Sequence, residues 1–267
     1  MKVTTLVENL TYKSGLVAEH GLSFYIETES KKILFDTGQT DAFIRNAQAM
    51  GIDLANVDAV VISHGHYDHT GGLNAFLRIN QKAKVYLKRA ALLQKYHGAS
   101  RHIGMELDGG LAEGRLVFVD DRLALDDNLF IMPNTPVVST LDTHFKGFLV
   151  KEDERFTEDS FEDELFLAIT SENGASIISS CSHRGITNIV EAAKSILNTK
   201  KIRTVVGGFH LLGCSDEQLE ETIRYFEQQD LKSLGICHCT GVDRYGIFVQ
   251  RMGNKVFYNS AGTSFEL

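Results

Sequence analysis

Short apolar runs alternate with amphipathic stretches along the whole chain, with no linker, repeat or compositionally biased segment between them. Residues 3–7, 22–28 and 32–35 read as strands, the last two joined by a Glu29-Ser30-Lys31 turn into a hairpin. Thr40 is placed to cap a helix running to Met50, with Gly51 as its stop. The β-branched run 59–62 reads as a buried strand and 73–77 as a helix. Residues 83–87 repeat the strand pattern, and a helix is expected over 89–96. The stretch 97–161 is less regular, with strands expected at 115–119, 128–132 and 147–150, and the acidic segment 152–163 reads as a solvated loop. Regularity then returns. Residues 165–169 and 175–179 flank Ser171-Glu172-Asn173-Gly174, a hairpin turn signal. A helix at 186–197, a strand at 204–206, a helix at 216–228, a strand at 233–236 and a final strand at 256–258 follow. Strands that occur both as hairpins and in alternation with helices predict an α/β fold of mixed sheets with helices outside, in two similar halves.

Composition narrows this picture. The 267 residues are 43% hydrophobic and 23% charged, which excludes a disordered or collagen-like chain. The net charge of -8 opposes a phosphate backbone, so a dedicated nucleic-acid binder is not expected and a polynucleotide nuclease is disfavoured. No apolar run approaches the ~18 residues that span a bilayer. The opening MKVTTLVENL lacks the apolar stretch of a signal peptide, so the expected location is cytoplasmic, with no membrane partner. All four cysteines (181, 214, 237 and 239) fall in the last third. In a reducing compartment they read as thiols or metal ligands, not disulfides. Cys237 and Cys239 are too close for an ordinary bridge, and without a second pair they are a weak zinc signal.

The histidines are distributed unevenly: three of the ten lie between positions 64 and 69. Ser63-His64-Gly65-His66-Tyr67-Asp68-His69-Thr70-Gly71-Gly72 sits where a buried strand gives way to a helix, a place where side chains converge. His64 and His66 alternate by two and share a face of extended chain. Asp68 and His69 follow as the chain bends and can serve a second position nearby. Imidazole suits zinc and iron, the carboxylate adds a hard ligand, and two adjacent positions suit ions ~3.5–4 Å apart. Asp36 could accept a ring N–H from a ligating histidine and fix its tautomer. Cys181, His183, His210 and His238 each follow an apolar run, at predicted strand ends, where sites assemble in α/β sheets.

The H-x-H-x-D-H block, with Phe35-Asp36-Thr37-Gly38 upstream, resembles the metallo-β-lactamase superfamily. Ala18-Glu19-His20-Gly21-Leu22-Ser23, Ser180-Cys181-Ser182-His183-Arg184-Gly185-Ile186, Gly207-Gly208-Phe209-His210-Leu211 and Cys237-His238-Cys239-Thr240-Gly241 narrow the likeness to the metal-dependent hydrolases of β-lactamase superfamily II. That group includes dihydropterin-methyl-ribofuranosylaminobenzene phosphate synthases. The resemblance spans positions 18 to 241. It implies an αββα sandwich of two mixed sheets packed face to face, formed by one domain over residues 1–267. It also implies two divalent ions, zinc first, with iron, manganese or magnesium compatible. One ion would take His64, His66 and His183; the other would take Asp68, His69 and His210. The superfamily's usual Gly-His-Thr and Gly-Asp elements are absent, which leaves Cys181 and Asp163 as rival candidates beside the bridging position and His144 as a further ligand candidate.

Such ions lower the pKa of bound water to near 7, so the expected nucleophile is a metal-bound hydroxide. Asp68 and His183 are the candidates for catalytic roles, with Asp68 able to act as general base if one ion is bound. Arg184 at a helix start, His20 before a strand and His238 between two thiols are candidates for contact with substrate; for His238, metal ligation is equally open. The leading expectation is hydrolysis of a small ester, lactone or phosphoester. Condensation of a dihydropterin with an aminobenzene ribofuranoside 5'-phosphate is the alternative, and an iron-based redox or oxygen site is a third. The expected partner is a small-molecule substrate, with homo-oligomers compatible.

Overall fold

The structure, a computed structural model, describes all 267 residues. The chain forms two compact units, neither continuous in sequence. The first comprises residues 1–120, 145–163 and 260–267; the second comprises 121–144 and 164–259. No helix is long and apolar enough to cross a membrane.

The first unit is built on a seven-stranded sheet ordered Ser264–Glu266, Lys2–Val7, Ser23–Glu27, Lys32–Phe35, Ala59–Val61, Lys84–Leu87 and Leu116–Phe118. The first four strands pair antiparallel and the remaining pairings are parallel. Helix Ala42–Ala49 buries Ala42, Phe43 and Ala47, and helix Leu73–Ile79 buries Leu73, Phe76 and Leu77, all in one cluster with Leu34, Val60 and Val85 of the sheet. The i, i+4 step from Phe43 to Ala47 and the i, i+3, i+4 spacing of Leu73, Phe76 and Leu77 put these side chains on one face of each helix, and each large side chain so buried contributes about 1.5–3 kcal/mol. Thr40 does act at the helix start, its hydroxyl accepting the Ala42 N–H at 3.1 Å, although Asp41 holds the cap position.

The second unit repeats the arrangement in reverse. Its sheet runs Val256–Tyr258, Ser233–Ile236, Ile202–Gly207, Gly174–Ile178, Phe166–Ser171, Leu129–Met132 and Leu123–Asp126. The first four strands are parallel and the rest antiparallel. Helix Ile186–Ile196 packs Ile186, Ile189, Val190 and Ala193 into the core, and helix Asp216–Glu227 packs Leu219, Ile223 and Phe226. Ser215 and Gln218 open the second helix with a capping box. The expected α/β class with mixed sheets is therefore present.

Three local expectations are corrected, and one helix is added. Residues 89–96 are not one helix: a single 3-10 turn, Arg89–Leu92, leads into strand Gln94–His97. That strand pairs with Phe148–Glu152 in a small antiparallel sheet, which supplies the hydrogen bonds a helix would have made internally. The acidic segment 152–163 is not a solvated loop. Arg155–Glu158 is an exposed strand paired with Phe148–Glu152, after which Asp159, Phe161 and Asp163 turn inward and are buried. Residues 256–258 are not the last strand, because Ser264–Glu266 pairs with Lys2–Val7. Helix Val242–Met252, absent from the pattern, buries only Phe248 fully.

Candidate metal centre

In the first unit, Lys32–Phe35 and Ala59–Val61 are parallel neighbours, so the residues beyond their carboxyl ends meet. Asp36 adopts a left-handed φ of 60° and is fully buried. Its Oδ1 accepts the Ser63 N–H at 2.7 Å, and its Oδ2 accepts the Ser63 hydroxyl at 2.7 Å and the His69 Nδ1–H at 2.9 Å. A carboxylate only accepts, so His69 must carry a proton on Nδ1, which leaves Nε2 as the nitrogen that can face a cation. The Ser63 hydroxyl, spent on Asp36, accepts in turn from His64 Nδ1 at 2.9 Å. The same carboxylate thus sets the tautomer of two histidines, leaving Nε2 of each as the donor to a cation.

Tight backbone packing brings these rings together. A Cβ on Gly65 would lie 2.3 Å from the Ala91 carbonyl oxygen, and one on Gly71 would lie 2.1 Å from that of Gln39, so only glycine fits. The ring centroids of His64 and His66 are 4.6 Å apart, and those of His64 and His69 are 4.4 Å apart. Short helix Tyr67–Thr70 carries Asp68 and His69, with Asp68 Oδ2 3.5 Å from His69 Nε2. The same oxygen is 3.2 Å from Nε2 of His20, whose ring is exposed. Burial pushes His66 down to about 3 and His64 well below its ordinary value, keeping both neutral, as metal ligands must be. Burial also opposes charge on His69, but Asp68 and Asp36 outweigh it and raise its pKa to about 10, so without an ion Nε2 carries a second proton that a bound cation would displace.

A buried support that the sequence pattern did not reveal lies behind this loop. Asp163 Oδ2 accepts the N–H of Gly65, between the two histidines, at 2.7 Å, while its Oδ1 is 2.9 Å from Lys95 Nζ. Lys95 Nζ also lies 2.5 Å from Asp159 Oδ2 and 5.2 Å from the centroid of Phe161. One oxygen of Asp163 thus holds the loop and the other holds Lys95. The one available signal was the Asp159-x-x-x-Asp163 spacing; a lysine in a strand carries none.

In the second unit, Gly174–Ile178, Ile202–Gly207 and Ser233–Ile236 are parallel neighbours. Beyond their carboxyl ends lie Cys181 and His183, then His210, then His238 and Cys239. Ser182, His210 and His238 hold left-handed φ values of 53°, 51° and 54°, an uncommon conformation for residues with side chains. The ligand atoms of Cys181, His183 and His210 all lie within 4.8 Å of one another, as do those of Cys181, His238 and Cys239. The rings of His183 and His210 are 4.3 Å apart. The ring of His144 lies 4.7 Å from that of His210, its buried Nε2 without a hydrogen-bond partner, and burial, with the neighbouring His210 imidazole, lowers its pKa to about 4. Buried Glu164, also missed, accepts the N–H groups of His183 at 2.5 Å and Arg184 at 3.1 Å.

The substrate contact expected at Arg184 is not reinforced by the helix start beside it. Asp142 Oδ2 already accepts the Thr187 N–H at 2.8 Å at the start of helix Ile186–Ile196, so a carboxylate of the protein fills that helix end. Arg184 Nε donates to the Thr135 carbonyl at 2.8 Å. The donor chemistry of both clusters fits divalent cations: imidazoles with fixed tautomers and a carboxylate in one unit, imidazoles and thiols in the other.

The family model of the metallo-beta-lactamase superfamily matches residues 16–165. The chain belongs to the metallo-beta-lactamase superfamily. Members of this superfamily are typically enzymes, and its fold typically binds divalent metals. The chain is 30% identical to the 7,8-dihydropterin-6-methyl-4-(beta-D-ribofuranosyl)-aminobenzene-5'-phosphate synthase of Methanocaldococcus jannaschii, covering 94% of this chain and 91% of that protein. An uncharacterized protein of the same archaeon is 32% identical, covering 90% of each chain. Among solved structures, Tm1679, described as a metal-dependent hydrolase of the beta-lactamase superfamily, is 34% identical with a TM-score of 0.86, covering 100% of this chain and 99% of the other. The zinc-bound PqqB of Methylobacterium extorquens, 11% identical over 100% of both chains with a TM-score of 0.62, shares the fold.

Proposed function

We propose that this superfamily member is a metal-dependent hydrolase of a small ester, lactone or phosphoester, with His64, His66, Asp68, His69, His183 and His210 as ligands of divalent cations, zinc first among them. The observation that carries this reading is the buried set His64, His66, Asp68 and His69, with Asp36 and Ser63 orienting two of its rings. Bound ions would acidify water and polarise a carbonyl or phosphoryl oxygen. The chain's own residues do the rest. Asp68 is placed to take a proton at Oδ2, and His20, 3.2 Å away and exposed, can pass that proton to solvent or meet the substrate. Arg184 remains a candidate for an acidic substrate group through the guanidinium nitrogens other than Nε.

A screen of p-nitrophenyl esters, lactones, phosphomonoesters and phosphodiesters with metal-loaded protein tests the proposal. Turnover that a chelator abolishes, that added divalent ion restores and that Asp68→Asn lowers by about 10²-fold or more is expected. Turnover indifferent to chelation, or none on any class, contradicts it. The archaeal relative's name favours a second reading, condensation of a dihydropterin with an aminobenzene ribofuranoside 5'-phosphate. A silent hydrolase screen beside formation of the condensed product selects it. Bound iron with a redox-active spectrum would instead select an iron redox or oxygen site.

A further inference from the structure

We propose that Cys181, His238 and Cys239 form a thiolate-bearing site in the second unit for a thiophilic divalent cation, additional to the imidazole and carboxylate ligands assigned above. The two sulfurs and the imidazole nitrogen lie within 4.8 Å of one another, and all three residues are buried. They come from the ends of two strands and are held there by cross-ties. The Ser182 hydroxyl bonds the Gly208 carbonyl at 2.8 Å, and the Thr240 hydroxyl accepts the Phe209 N–H at 2.8 Å, so the loop bearing His210 is tied to both of its neighbours. A Cβ on Gly208 would stand 2.6 Å from the Cys239 sulfur, so glycine at that position keeps the space this sulfur occupies. The left-handed φ of 54° at His238 is the bend by which two consecutive residues, His238 and Cys239, come to the same cluster.

The other cysteines behave differently. Cys237 is fully buried, with its sulfur 4.0 Å from Asn259 Nδ2, and Cys214 lies partly exposed beyond the strand ends. Neither belongs to the trio. Two sulfurs and one imidazole from the protein leave one position of a tetrahedral ion open. On binding, each thiol releases its proton to solvent and two sulfur–metal bonds form, with no change of oxidation state. Thiolate donors favour zinc, iron or cobalt over magnesium and manganese.

The experiment titrates the metal-stripped, full-length protein with Co2+, following bound cobalt together with the near-ultraviolet thiolate-to-cobalt charge-transfer absorption. A saturable band in the wild type, lost or at least halved in Cys181→Ser and in Cys239→Ser and kept in Cys214→Ser, is expected. Cobalt bound without that band, a band unchanged in either variant, or no cobalt bound overturns the site. Should a serine variant fail to fold, Cys181→Ala or Cys239→Ala takes its place and is read by the same band. Hydrolysis is not read in this titration, so a silent substrate screen would remove the hydrolase reading and leave this one standing.

Discussion

Asp36 shows how much one side chain determines here. It accepts from Ser63 twice and from His69 once, and through Ser63 it also orients His64. An asparagine in its place keeps the volume but offers an amide nitrogen where an acceptor is needed. Asp36→Asn is expected to weaken metal binding by about 10–100-fold while the fold persists, measured by competition with a chromogenic chelator. His20 makes the opposite case. Its ring is exposed and touches Asp68 from outside, so His20→Ala should leave metal content unchanged and lower kcat/KM by about 10²-fold. A variant that loses metal instead would make His20 a ligand.

At the scale of elements, Lys95 joins strand Gln94–His97 to the segment carrying Asp159 and Asp163, and Asp163 joins that segment to the loop carrying His64 and His66. Lys95→Met leaves two buried carboxylates facing each other without a cation. It is expected to cost about 3–5 kcal/mol, measured by denaturant unfolding. A cost below about 1 kcal/mol would mean that water already reaches the triad. These elements were also the hardest to read in the chain. The strands that end at Phe35, Val61, Ile178, Gly207 and Ile236 announce themselves as apolar runs, so the positions of Asp36, His64, His183, His210 and His238 at strand ends could be anticipated. Gln94–His97 has no such run, because its one inward residue is a lysine whose burial depends on acids more than sixty positions away. The left-handed turns at Ser182, His210 and His238 were equally illegible, since no glycine marks them. Nor does spacing in sequence reveal that Asp142 and Glu164 are used up on backbone N–H groups near His183.

At the scale of the molecule, each unit draws on distant parts of the chain. Strand Ser264–Glu266 covers the edge of Lys2–Val7, and Ala261 and Gly262 bond back to Leu10 and Thr5 at 2.9 Å and 2.8 Å. Deleting residues 260–267 should expose that edge, lower the Tm and promote association, read by thermal unfolding and size-exclusion chromatography. Bound ions act on the same scale. At one hundred times Kd they stabilise by about 2.7 kcal/mol, so chelation should lower the Tm by about 5–10 °C. The most direct measurement is the metal content of the purified protein beside His69→Ala and His183→Ala, one ligand from each unit. The assigned ligands predict stoichiometric metal in the wild type and a clear loss in both variants, each still folded by circular dichroism. Metal content unchanged in both variants would contradict the ligand set.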